Sequence, residues 1–216
     1  MTGTETLDDL RLRLAPIVAD NAAFDGWSAR ALEATAAQSG TDADVVAFAF
    51  DGGALVMIDA WFASVDAQMN ADLSPETLAG MRVGPRIGAL VEARLAILAP
   101  RREALRRAQA ILAMPQNLRA AGRLGWRAAD AMWRAAGDVS ADLNHYTKRV
   151  TLSAIYAATL LYFVNDESEG WADTRAFLAR RLQGVARFEK AKARFRRDPD
   201  MHFNPARFLG RLRYRA

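Results

Sequence analysis

The chain holds 216 residues, 51% of them hydrophobic, enough to build a full core in one domain or two small ones. Cysteine is absent, which excludes a disulfide framework and any thiolate metal site. The net charge of +4 conceals a polarity: residues 1–81 carry thirteen acids against Arg11, Arg13 and Arg30 and sum to −10, whereas residues 82–216 sum to +14. An anionic partner should therefore meet the second half.

No stretch alternates at period two, so every long element reads as helix. Leu7, Leu10, Leu14, Ile17 and Val18 keep helical spacing, with Pro16 expected to bend that helix. Ser28 is a candidate cap for a second helix ending near Gly40, and Asp42 for a short third one from Ala43 to Phe50. Asp51-Gly52-Gly53 breaks the chain before a fourth helix, Ala54 to Ala71. Ser74-Pro75-Glu76 is a cap with proline in the first turn. Gly84-Pro85, Pro100 and Pro115 are expected to punctuate further helical runs, and Gly137 to close the helix carrying Trp126, Met132 and Trp133. Ser140 is the expected cap of a central helix with Asp142 in its first turn; a last helix runs from about Ala172 to Arg196. No run reaches the about 18 apolar residues that suggest a membrane span, since Val150 to Val164 is shorter and holds Thr151, Ser153 and Thr159. The acidic start, Glu5, Asp8 and Asp9, predicts neither a signal nor a transit peptide.

Two short helices parted at Ser39-Gly40-Thr41 and followed by a long apolar helix have helix-turn-helix spacing. The segment resembles the N-terminal part of TetR-type regulators. A DNA reader needs cations on the second helix, yet Glu33 to Glu76 holds eight acids and no Lys, Arg or His, so no nucleic acid is expected there. Only His145 and His202 exist, too few for a di-iron carboxylate site, and no phosphate loop or G-x-S-x-G elbow appears. No catalytic residue set and no resident metal are therefore expected.

Met114, Trp126, Met132, Trp133, Ile155 and Leu160 belong to an inventory of wide aromatics, methionines and aliphatics on adjacent helices. Such residues can line an adaptable pocket for a long apolar ligand, and they equally compose an ordinary core, which periodicity alone favours. At the head of the central helix, Asp142, His145 and Arg149 share a stripe beside Tyr146 and Lys148. The cluster suits an interface anchor as well as a capped, solvated helix start. From Arg180 to Arg215 twelve bases face Glu189, Asp198 and Asp200, interleaved with Phe188, Phe195, Phe203, Phe208, Leu212 and Tyr214. That composition suits an anionic membrane surface first, and otherwise nucleic acid or a solvated end.

Leu112-Ala113-Met114-Pro115-Gln116-Asn117, Trp126, Ala129-Asp130, Trp133, Ala136-Gly137-Asp138 and the run Ser140 to Arg149 resemble the signature of the Coq-nine family of ubiquinone (coenzyme Q) biosynthesis. The likeness continues through Leu152, Ala154, Tyr156, Thr159, Asp166, Asp173-Thr174 and Phe177-Leu178 and covers about residues 20–190. It implies an all-α, TetR-like fold. Residues 1–72 would be a helix-turn-helix-like part that does not bind DNA, 73–197 a lipid-binding and dimerisation bundle, and 198–216 a basic amphipathic tail. It implies a non-enzymatic homodimer that binds isoprenoid lipids or quinone intermediates, with no further cofactor, and presents them to the di-iron demethoxyubiquinone hydroxylase. On this chain the docking patch would be His145, Tyr146, Lys148 and Arg149, where the family commonly has Trp at the position of His145. The implied location is cytoplasmic and peripheral, on the inner face of the cytoplasmic membrane. The alternative is a TetR-like transcriptional regulator that binds DNA and a small apolar ligand.

Overall fold

The computed structural model describes residues 5–140 and 143–197, without the side chains of Leu143 and residues 192–197. Asp142 and the basic tail, 198–216, lie outside the described residues. Among the described residues every regular element is helical.

The first four helices follow the punctuation of the sequence. Thr6 opens α1 (Leu7–Asp25) with a capping box, its hydroxyl accepting from the Asp9 backbone while the Asp9 carboxylate accepts from Thr6. The helix continues through Pro16, whose carbonyl accepts from Arg101 Nε at 3.1 Å. In α2 (Ala29–Ser39) the expected cap differs in chemistry: Ser28 holds the cap position, but its hydroxyl donates to the Asp25 carbonyl at 3.0 Å. Asp42 does cap α3 (Ala43–Ala49), accepting from the Asp44 and Val45 amides at 2.9 and 3.2 Å. Long, apolar α4 (Ala54–Asp72) follows.

The rest of the chain adds α5 (Pro75–Ala79), α6 (Val83–Leu98), α7 (Arg102–Leu112), α8 (Leu118–Ala135), α9 (Leu143–Phe163) and α10 (Ala172–Arg197). Gly84-Pro85 marks the start of a run, lying inside the first turn of α6. Proline is tolerated there because first-turn N–H groups have no intrahelical acceptor. Pro100 and Pro115 do punctuate, each within a short 3-10 turn.

One core runs through all the longer helices, from Leu10 and Leu14 on α1 to Leu178 on α10. Trp61 of α4 sits at its centre, with ring centroids 5.3 Å from Trp27 and 5.4 Å from Phe62. The N-terminal helices are tied to the remainder by polar contacts: Trp27 Nε1 donates to the Ala104 carbonyl at 3.1 Å, and Arg101 pairs with Asp20 at 2.7 Å. Deeper still, fully buried Arg94 of α6 pairs with Asp66 of α4 and donates to the Tyr156 hydroxyl of α9 at 2.9 Å. A buried ion pair is costly to desolvate, so it acts more to fix how these three helices register than to add net stability.

The ends of α9 are also fixed. Arg102 and Arg106 of α7 donate to the Phe163, Val164 and Asp166 carbonyls at the C-terminal end, where helix carbonyls lack partners. Asp166 accepts from the Ser168 and Thr174 amides and hydroxyls; burial alone would raise its pKa, but these hydrogen bonds hold it well below the usual carboxylate range.

Candidate functional site

The site begins where α8 stops. Gly137 takes φ +83°, its amide donates to the Arg134 carbonyl, and the Asp138 amide donates to the Trp133 carbonyl, both at 2.9 Å. This double bond pattern ends α8 in a left-handed turn that suits glycine. It also swings the Asp138 carboxylate back over the start of α9. Lys148 Nζ lies 2.7 Å from Asp138 Oδ1, Arg149 Nη1 lies 3.2 Å from Oδ2, and the Ser140 hydroxyl donates to both oxygens. Ser140 is thus bonded to Asp138, and α9 begins three residues later, at Leu143.

Arg149 corrects the sequence reading. Its residue is 2% exposed, not part of a surface patch. Its guanidinium joins Asp130 of α8 (2.6 Å), Asp138 and the His145 carbonyl (3.1 Å), clamping α8 to α9. It is not a direct docking contact, because Asp130 of α8 and Asp138 of the turn that follows draw it inward. Lys148 is half-turned as well: its ammonium sits 5.2 Å from the Trp133 ring centroid while its carbonyl accepts from Trp133 Nε1 at 3.1 Å.

The exposed part of this end is aromatic. Tyr146 is 58% exposed, with its ring 6.0 Å from Trp126 and 5.2 Å from His145. His145 is partly buried, and its Nδ1 lies 2.9 Å from the Ser140 carbonyl. Rings held this way lose little freedom on contact, which suits an anchor for a partner.

On the other flank of Lys148 a cavity of about 330 Å³ opens between α6, α8, α9 and α10. Val83, Ile87, Trp133, Leu152, Ile155, Leu182 and Val185 make its apolar wall; Asn144, Thr147, Lys148 and Glu189 make a polar lip. A second apolar cavity of about 260 Å³ lies between α4, α7, α8 and α9, with Tyr156, Leu160 and Leu161 among its walls.

The six residues expected to line one pocket therefore separate. Trp133 and Ile155 line the first cavity and Leu160 the second. Trp126 belongs to the aromatic cluster. Met132 is fully buried in the core and Met114 is 43% exposed beside a 3-10 turn, so neither is a lining residue of the first cavity. Sequence reading missed Leu152, Leu182 and Val185. Leu178, Leu182 and Val185 do form an i, i+4, i+7 stripe in an otherwise charged helix, and that stripe was the available signal.

The Asp138 carboxyl responds to two opposed influences. Burial would raise its pKa, but hydrogen bonds from Lys148, Ser140 and Arg149 hold it at about 2 against an ordinary 3.8. A depressed folded-state pKa stabilises above the unfolded value and loses that contribution as pH falls through the folded one. The parent should therefore lose about 1–2 kcal/mol of stability between pH 4 and pH 2 beyond what Asp138→Asn loses over the same interval. Parallel urea-unfolding curves for the two proteins across that window would show the carboxylate to be irrelevant.

The comparisons with known proteins meet this same region. The profile of the COQ9 family matches residues 118–189, which hold α8, α9 and the Asp138 turn. The chain is 33% identical over 165 residues to the rat (Rattus norvegicus) protein named ubiquinone biosynthesis protein COQ9, mitochondrial, covering 73% of this chain and 52% of that protein. The human protein of the same name is 42% identical over 92 residues, 43% of this chain and 29% of its own length. The Drosophila melanogaster protein is 29% identical over 187 residues, 85% of this chain and 57% of that protein. The matched part thus spans about half the length of the rat and fly relatives. Among solved structures, a TetR transcriptional regulator from Nitrosomonas europaea superposes with a TM-score of 0.65 at 25% identity, covering 82% of this chain and 98% of that one. Among the described residues the chain has a TetR-like all-helical fold, and residues 118–189, which contain the α8–α9 clamp, carry the signature of the COQ9 family.

Proposed function

We propose that the chain is a non-enzymatic, lipid-binding accessory protein of ubiquinone biosynthesis that presents polyprenylated quinone intermediates to the demethoxyubiquinone hydroxylase. The observation that carries this reading is the apolar cavity beside Trp133 and Ile155, whose polar lip is shared, through Lys148, with the head of α9. An isoprenoid tail suits the wall of Leu152, Ile155, Leu182 and Val185, and a quinone-like head group suits the lip. The names of the curated relatives support the pathway. At about 330 Å³ the cavity is at the small end of ligand sites, about 300–1,000 Å³, so it holds part of a long tail. Apolar burial returns about 25 cal/mol per Å², but the ligand leaves a bilayer that is already apolar, so the net gain is modest. Modest affinity suits a presenter that must release its ligand. Lipid extraction and mass spectrometry of chain purified from a quinone-making host test the reading.

In this account residues 1–72 are scaffold, 73–197 hold lipid and partner, and the tail meets an anionic membrane surface on the cytoplasmic face. No single described helix is long and apolar enough to cross a membrane. The outer stripe of α9, Val150, Ala154, Ala157 and Leu161, all exposed, is the proposed homodimer seam. The hydroxylase would contact Tyr146 and the rim of His145, with Arg149 holding both from beneath. Tyr146→Ala should then weaken hydroxylase binding about tenfold, with stability changed by less than about 0.5 kcal/mol. Equal binding by parent and variant in a titration would move the docking surface elsewhere.

The likeness to a solved transcription regulator favours a second reading, a DNA-binding regulator. It needs phosphate contacts from α2 and α3, which carry only carboxylates beyond Arg30. Selection from genomic DNA should enrich a palindromic site under that reading, and no site under ours.

A further inference from the structure

The corner between α7 and α8 is apolar at its tip and cationic along one flank. Ala113, Met114, Pro115 and Gln116 are all exposed, and only Gln116 among them is polar. Met114 is 43% exposed, and Leu118, the first residue of α8, 60%. The tip is fixed by a 3-10 turn that begins at Pro115: the Met114 carbonyl accepts from the Asn117 amide, and Asn117 Nδ2 donates to the Ile111 carbonyl, both at 2.8 Å. Its apolar side chains are thus held in water rather than in the core.

The charge around the tip has one sign. Between Glu103 and Asp130 the sequence holds five arginines and no carboxylate. Arg106 and Arg107 pair with Glu103, and Arg127 with Asp59 and Asp66. Arg119 and Arg123, one turn apart on α8, are exposed and have no ion-pair partner among the described residues. Asp8 and Asp59 share a groove with Arg123, but Arg11 and Arg127 already hold them. The tip also borders the second apolar cavity, whose exposed lining residues include Ala113, Leu118 and Leu161. Nucleic acid asks mainly for cations. An exposed Met and Leu at a fixed turn gain from an apolar phase, and unpaired arginines beside them gain from anionic head groups. The surface of an anionic bilayer meets both needs at once.

We propose that the α7–α8 corner rests on an anionic lipid bilayer, with Met114 and Leu118 in the boundary between head groups and acyl chains and Arg119 and Arg123 on lipid phosphates. This contact is separate from the one proposed for the tail, and it stands independently of any lipid in the first cavity.

The absence of cysteine allows single labels in the full chain. An environment-sensitive fluorophore on Gln116→Cys should shift to the blue, and resist an aqueous quencher, when vesicles of phosphatidylcholine with about 30% phosphatidylglycerol are added. The same label on Ala37→Cys, exposed on α2 in the acidic half, should stay aqueous. Arg119→Glu with Arg123→Glu should weaken the binding read at position 116 at least about tenfold, since each basic residue near such a surface strengthens partitioning about fivefold. Met114→Gln with Leu118→Gln should abolish the blue shift. Circular dichroism of both double variants should match the parent, because all four side chains are exposed. No vesicle binding, or binding with an aqueous label at position 116, overturns the proposal; the latter leaves the tail as the contact. So do a blue shift that survives both double variants and equal shifts at positions 37 and 116. Tight binding of a DNA duplex without a shift on vesicles also overturns it, and makes the corner a polyanion site.

Discussion

Arg149→Ala is expected to lower stability by about 3–5 kcal/mol, because it removes three charge-assisted hydrogen bonds from the buried α8–α9 seam and leaves Lys148 as the remaining cation for Asp138 and Arg134 for Asp130. Both carboxylates are tightly held in the parent: Asp130 at 2.6 Å and Asp138 at 3.2 Å from a guanidinium that is almost wholly buried. For a protein of this size the loss corresponds to about 6–20 °C in melting temperature. Arg149→Lys should recover only part of it, since an ammonium cannot reproduce a fork that meets Asp130, Asp138 and the His145 carbonyl together. The ring cluster above should loosen with the clamp, seen as greater solvent exposure of Trp126 fluorescence. A variant that melts with the parent yet fails to bind the hydroxylase would restore Arg149 as a surface contact.

The second large effect is expected at the cavity wall. Ile155→Trp places an indole where the lipid tail is proposed to lie, between Trp133, Leu152 and the Leu182–Val185 stripe of α10. Overpacking there costs about 1–3 kcal/mol, which leaves the fold intact but reduces the space. Recovered lipid should drop at least about tenfold, the equivalent of about 1.4 kcal/mol of binding. Ala176→Trp is the matched control: it lies on the exposed side of α10, outside the cavity and away from the proposed dimer seam. Equal lipid loss in both variants would mean that added bulk, not the cavity, governs retention.

How legible was all this in the residues? The helices were, because capping aspartates and threonine, left-handed glycines and unbroken 3.6-residue periodicity each act within one or two turns. Asp42 and Gly137 mark their helix ends as expected. Gly84-Pro85 was legible as punctuation but not as a helix start, because proline breaks a helix interior and not a first turn, and only the finished α6 shows which applies. The site was half legible. The spacing of His145 and Arg149 put them on one face, yet it could not tell that α8 and the turn after it lay Asp130 and Asp138 against Arg149. Met132 and Met114 have the same composition signal and opposite fates, one sealed in the core on the inner face of α8 and one on the surface, because burial is decided by the partner helix. The Leu182–Val185 stripe was visible as periodicity but submerged in the charge of α10.

The reading of this chain as a lipid presenter rests on the cavity between α6, α8, α9 and α10 being filled by an isoprenoid. The most direct measurement is native mass spectrometry of the full chain and of Ile155→Trp, purified side by side from a host that makes polyprenylated quinones. The account predicts an added mass on the parent that fragments to an isoprenoid quinone or its precursor, and bare protein for the variant. A parent that carries no lipid, or the same lipid load on both proteins, would contradict it.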